Sequence, residues 1–142
     1  MSKHQNIIGI KEALNDQTRM KELVKLTKDD DLNYFYIFSG DDGSFLDLLM
    51  LGGHGVISVA ANVVPSNISN ICRDFFGDGI KISIKENKRL SNLYDLLFIE
   101  SNPIPVKWML FKMGLIENSL RLPLVNLDKK YEENIISEMV KL

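Results

Sequence analysis

The sequence predicts an α/β fold in which three strand–helix units, over residues 1–78, precede a helical region over residues 79–142. Three observations carry this. Short runs rich in β-branched and aromatic residues recur at 7–11, 34–38 and 55–59. Each is followed by a helix-length amphipathic or apolar segment, and such alternation builds a parallel sheet with right-handed crossovers. After Asp78 the alternation ends and only helical periodicity continues.

The first run, Ile7-Ile8-Gly9-Ile10-Lys11, reads as a strand buried on both faces. A helix over roughly Asp16–Thr27 follows, with Met20, Leu23, Val24 and Leu26 on its apolar side. Asp29-Asp30-Asp31 reads as a solvated loop. The second strand is Tyr34–Phe38, where alternation places Tyr34 and Tyr36 on one face, towards the covering helices. The turn Ser39-Gly40-Asp41-Asp42-Gly43 leads into a helix over Phe45–Leu51, with the Ser44 hydroxyl as its expected cap. That helix stops at Gly52-Gly53. The third strand, Gly55–Val59, runs into Ala60-Ala61-Asn62, and Pro65 starts the next helix. Beyond Asp78 the pattern predicts one long helix over Ile80–Phe98, with Ile84, Leu90, Leu93 and Leu97 on its apolar side. A break follows at Glu100–Pro105, then a helix from Val106 to about Met113 capped at Gly114, and a final helix over Lys129–Leu142.

Composition narrows the function classes. A chain of 142 residues with 45% hydrophobic content is the size of one globular domain. The net charge of −2 provides no electrostatic footprint for nucleic acid or a membrane surface. No apolar stretch has the length of a bilayer span and the first residues hold no apolar signal region, so the expectation is a soluble, cytoplasmic protein. Cys72 is the only cysteine, which leaves no internal disulfide, and it reads as a small buried residue of a helix.

In parallel sheets, chemistry gathers at the carboxyl ends of the strands. Those ends carry Lys11, then Ser39-Gly40-Asp41-Asp42, then Ser58–Asn62. A lysine between apolar walls at such a mouth is pushed by desolvation towards the neutral amine, the form that attacks a carbonyl carbon. The alternative is a strand-end lysine that snorkels into water. Asp41 and Asp42 at a helix start suit its dipole, and with no further ligands in the pattern no metal is expected. Gly40-Asp41-Asp42-Gly43 lacks the spacing and the basic residue of a phosphate-cradling loop. His54 reads as a turn residue away from Lys11, and Trp108 and Met109 read as core.

Four ordered segments resemble a known family: Asn6–Ala13, Ser39–Asp42, Leu51–Val59 and Asn102–Trp108. They are similar to the carboxyl-terminal half of the 4-hydroxy-tetrahydrodipicolinate synthase (dihydrodipicolinate synthase) family, pyruvate-dependent class I aldolases related to N-acetylneuraminate lyase. The resemblance extends through Leu120–Pro123 to the last helix. It implies a partial TIM (β/α)8 barrel, its last three βα units, followed by a C-terminal helical tail. It also implies that Lys11 is the catalytic lysine, forming a covalent imine with pyruvate and needing no other cofactor. By the same resemblance Ile57 contacts pyruvate through its backbone, Gly40 lines the pocket beside the imine, and Asn102 lies at the pocket rim. Ser101 stands where many relatives have proline. Glu12-Ala13 favours the synthase branch over another pyruvate-dependent aldolase such as N-acetylneuraminate lyase.

The implied substrates are pyruvate and aspartate semialdehyde, on the diaminopimelate route to lysine. Family members are commonly homotetramers. The resemblance assigns the pyruvate-carboxylate loop, the tyrosine proton relay and the lysine-feedback site to the family's first half. A whole barrel needs about 250 residues, so the expected partner of this chain is the N-terminal half-barrel. Without it the chain is expected to have little activity, or to serve as a non-catalytic remnant that only associates.

Overall fold

The structure, a computed structural model, describes residues 4–28 and 35–142. The expected Asp29–Asp31 loop and Tyr34 lie outside the described residues. Two compact units are present, the first ending at Ser58 and the second running from Val59 to Leu142.

The first unit is a three-stranded parallel sheet, ordered β1 (Gly9–Glu12), β2 (Tyr36–Ser39), β3 (Gly55–Val56), with helices α1 (Gln17–Lys28) and α2 (Phe45–Leu51). Helix α1 starts where the Asp16 carboxylate accepts the Thr18 and Arg19 amides at 2.8 and 3.2 Å. Met20 and Val24 are buried and pack with Ile37 and Leu48, and Ile10, Leu23 and Leu51 close the cluster. Leu26, expected on this apolar face, is 69% exposed. It lies two residues beyond Val24, on the far side of a helix that turns 100° per residue.

Within this unit α1 and α2 cover the Ile37 face of the sheet. The register pairs Gly9 with Tyr36, Lys11 with Phe38, and Phe38 with Gly55, so these residues share the face opposite Ile37. The expectation of a first strand buried on both faces is therefore corrected: Ile8 is 67% exposed and Lys11 is exposed. Tyr36 is corrected too. It lies on the Lys11 face, edge-on to the His54 ring with centroids 5.2 Å apart, while its neighbour Ile37 meets the helices.

Helix α2 ends at Gly52, whose φ of 110° lies in the left-handed region that glycine reaches without a Cβ clash. Its start differs from expectation. The Ser44 hydroxyl makes no cap bond. It donates instead to Asp41 Oδ2 at 2.5 Å, and the same oxygen accepts the Ser44 amide at 2.9 Å. The carboxylate, a charged acceptor, takes both donors of Ser44. The third strand is shorter than predicted, because the backbone has turned to helical angles by Val59 (φ −75°, ψ −42°).

The second unit opens with a 3₁₀ turn at Ala60–Asn62 and is otherwise helical: α3 (Pro65–Phe76), α4 (Ile80–Arg89), α5 (Ser91–Leu97), α6 (Ile104–Lys112), a second 3₁₀ turn at Lys129–Tyr131, and α7 (Glu132–Met139). Helices α3 and α4 pack on each other where the small Ser83 side chain is buried, its hydroxyl donating to the Ile71 carbonyl at 2.9 Å. The single helix expected over Ile80–Phe98 is two. The Leu90 amide is shared between the Glu86 and Asn87 carbonyls, which tightens the last turn and swings Leu90 into the core. Leu93 and Leu97 are buried as expected, but Ile84 is 43% exposed because Ser83 holds the packed side of α4. Helix α5 packs against α4, α6 and α7. Trp108 and Met109 are core residues of α6, and Gly114 (φ 73°) follows that helix. No helix among the described residues is long and apolar enough to cross a membrane.

Candidate active site

Lys11 occupies the third position of β1, towards the carboxyl end of the strand, beside Phe38 of β2. The chain leaves β2 through Gly40, whose N–H donates to the Glu12 carbonyl at 2.7 Å. That bond draws the Gly40 backbone against the lysine. A Cβ at position 40 would collide with Lys11 Cε, stand 3.1 Å from Lys11 Cγ, and stand 2.9 Å from the Ala13 Cβ. Glycine is required here by the close approach of side chain to backbone. The two residues that the sequence places at this mouth are thus brought together.

Glu12 points to the other side of the sheet and anchors the strand end. Its Oε1 accepts the Leu14 amide at 2.9 Å and its Oε2 accepts Arg19 Nε at 2.8 Å. The Leu14 amide, and after it the Arg19 guanidinium, hold its carboxyl below the usual range. One side chain so ties the exit of β1 to the first turn of α1, and fixes the backbone from which Lys11 projects.

Ile57 continues the third strand on the same alternation as Gly55. Its N–H donates to the Ser39 carbonyl at 2.7 Å, and it is 51% exposed. Next to it, the Ser58 hydroxyl donates to Asp42 Oδ1, and Asp42 is buried. Asp41 and Asp42 therefore point in different directions, as adjacent residues at a helix start do. His54 precedes β3, at the amino ends of the strands, and its Nδ1 accepts the Ile37 amide at 3.1 Å.

Asn102 belongs to the second unit. It is exposed in the turn before α6, at the cis Asn102-Pro103 peptide. Lys11 and Gly40 meet in the first unit, where Ile57 also lies.

Lys11 is exposed, which is the water-facing alternative that the sequence left open. The physical reason is where the helices lie: α1 and α2 shield the Ile37 face, and Lys11 is on the opposite one. The sequence reading missed the Asp42–Ser58 pair and the placement of Tyr36.

The arrangement is that of an α/β protein with an amine projecting at the carboxyl end of a parallel strand, against glycine backbone. The chain belongs to the family described as dihydrodipicolinate synthetase, whose profile matches residues 1–141. It is 44% identical over 135 residues to a 4-hydroxy-tetrahydrodipicolinate synthase from Coxiella burnetii (strain RSA 493 / Nine Mile phase I), covering 95% of this chain and 44% of that protein. It is 45% identical over 139 residues to the enzyme of the same name from Pseudomonas aeruginosa, covering 98% and 46%. A crystal structure of dihydrodipicolinate synthase from Thermotoga maritima superposes with a TM-score of 0.91 at 40% identity, over 99% of this chain and 48% of that one. The chloride-inhibited synthase from Acinetobacter baumannii, complexed with pyruvate, superposes with a TM-score of 0.88 at 38% identity, over 98% and 46%. The chain spans about half the length of the relatives it matches.

Proposed function

We propose that this chain carries the imine-forming half of a 4-hydroxy-tetrahydrodipicolinate synthase. The observation that carries the reading is Lys11 at the carboxyl end of β1, packed on Gly40, in a chain of this family. In the proposed reaction the Lys11 amine attacks the ketone carbon of pyruvate and water leaves, giving an imine. The protonated imine withdraws electrons, the pyruvate methyl loses a proton, and the resulting enamine attacks the aldehyde carbon of aspartate semialdehyde. Ile57 meets pyruvate through its backbone, Gly40 leaves room beside the imine, and Asn102 contributes to the rim.

Residues 1–78 act as the last three strand–helix units of a (β/α)8 barrel and residues 79–142 as its helical tail. Both outer strands of the described sheet, β1 and β3, present unpaired rims, and the family's first five strands would close them. Closure would bring an apolar wall over the exposed Lys11, together with the carboxylate-binding loop and the proton relay. The assembled protein would be a cytoplasmic homo-oligomer. For the chain by itself, the exposed amine favours a second reading, a half that associates without turning over substrate.

Borohydride trapping with pyruvate, followed by peptide mass mapping, tests the proposal. A pyruvyl adduct confined to Lys11, formed faster once the family's N-terminal half is co-expressed, is the expected result. An adduct spread over many lysines, or none in the presence of that half, would overturn it.

A further inference from the structure

We infer that Asp42 and Ser58 are positioning residues, which lock the backbone at Ile57 through the part-buried hydrogen bond between their side chains. The importance of Ile57 rests on the function proposed above, but the lock itself is independent of it.

The β2–β3 ladder is short. It holds two register pairs, Phe38 with Gly55 and Ser39 with Val56, and then the Ile57 amide on the Ser39 carbonyl at 2.7 Å. At that point β3 ends, and the backbone turns to helical angles by Val59. Beyond the ladder the Ile57 backbone depends on side-chain bonds for its position. Ser58 Oγ donates to Asp42 Oδ1 at this place. Asp42 lies two residues after Gly40 and Ser58 one after Ile57, so the bond ties together the two loops that bear the candidate pyruvate contacts.

Asp42 is 1% exposed. A carboxylate serving only the dipole of α2 would keep its hydration, whereas burying one is costly unless it is hydrogen-bonded. Its neighbour Asp41 is committed elsewhere, to the amide and hydroxyl of Ser44. The loop after β2 is thereby held on both sides, by Asp41 to its own helix and by Asp42 to the neighbouring strand. A hydroxyl donating to a carboxylate is among the stronger hydrogen bonds available to a side chain. It suits a place where the ladder has run out.

Hydrogen exchange followed by NMR tests the lock. In Ser58→Ala the Ile57 amide is expected to exchange about tenfold faster or more, the response to losing one charge-assisted bond. The Gly40 amide, bonded to Glu12 within the same sheet, is expected to keep its rate. Ser58→Thr retains the hydroxyl and should restore protection at Ile57. Unchanged exchange at Ile57 in Ser58→Ala would overturn the inference. So would equal acceleration at Gly40 and Ile57, which marks general destabilisation.

The second readout is the pyruvate concentration that half-saturates borohydride labelling of Lys11. It should rise in Ser58→Ala while the limiting labelling rate stays the same. If the unaltered chain shows no labelling even with the N-terminal half present, the proposed function fails, and the exchange rates still decide the lock.

Discussion

Replacing Gly40 by alanine probes the closest approach in the candidate site. The new Cβ would stand 2.9 Å from the Ala13 Cβ and 3.1 Å from Lys11 Cγ, and would overlap Lys11 Cε. Lysine can rotate its outer methylenes away, but Ala13 moves only with its backbone. Overpacking of this kind costs about 1–3 kcal/mol. With a urea slope of about 1–3 kcal/mol/M for a small protein, the midpoint should fall by about 1 M. The decisive comparison is a double-mutant cycle. Lys11→Ala removes two of the three colliding atoms, so Gly40→Ala should cost less in that background, with a coupling of at least about 0.5 kcal/mol. Denaturation of the four proteins, followed by circular dichroism, measures it. Strict additivity would show that Gly40 and Lys11 do not share the space assigned to them.

Three further outcomes are expected. Ile37→Ala, in the buried centre of the first unit's cluster, should destabilise that unit by about 2–5 kcal/mol in urea denaturation. Glu12 has its carboxyl lowered in the folded state by the Leu14 amide and then by Arg19, from a usual value of 4.5. Its contribution is therefore fully present above pH 4.5 and is lost as pH falls through the lower folded value. Melting curves of Glu12→Gln and the unaltered chain should accordingly differ at pH 7, and the difference should shrink on acidification below pH 4.5. Burial pushes the Cys72 thiol above its usual value of 9.0, so at pH 8 it should react severalfold more slowly with a disulfide reagent than free cysteine does, and urea should abolish the difference.

The elements with strong local signals were legible from the residues. Helix α2 occupies the predicted Phe45–Leu51, and Pro65 opens α3 as its missing N–H suits. Gly114 ends the α6 region with the left-handed backbone that its place implies. Lys11 and Gly40 could be put at one strand mouth because parallel sheets leave all their carboxyl ends on one side. Tertiary packing was not legible. Ile84 fits the helical stripe of its neighbours, yet the packed side of α4 was taken by Ser83, whose hydroxyl reaches the α3 backbone. Tyr36 could be paired with one face by alternation, but which face the helices cover depends on Ile37 meeting Met20, Val24 and Leu48. The Asp42–Ser58 bond joins residues sixteen apart, and nothing local in the sequence announces such a pairing.

The outer rim of β1 has a consequence for how a site of this kind is assembled. That rim is made of the peptide groups of Gly9–Glu12, and Lys11 hangs from the same four residues. An incoming strand would read those amides and carbonyls while its own side chains alternate with a period of two. Sliding it by one residue would turn its inner side chains outward and leave Lys11 facing the wrong neighbours. Docking in the right register and surrounding the amine with the right groups would thus be a single event, so a misaligned assembly would be chemically silent even when it is well paired.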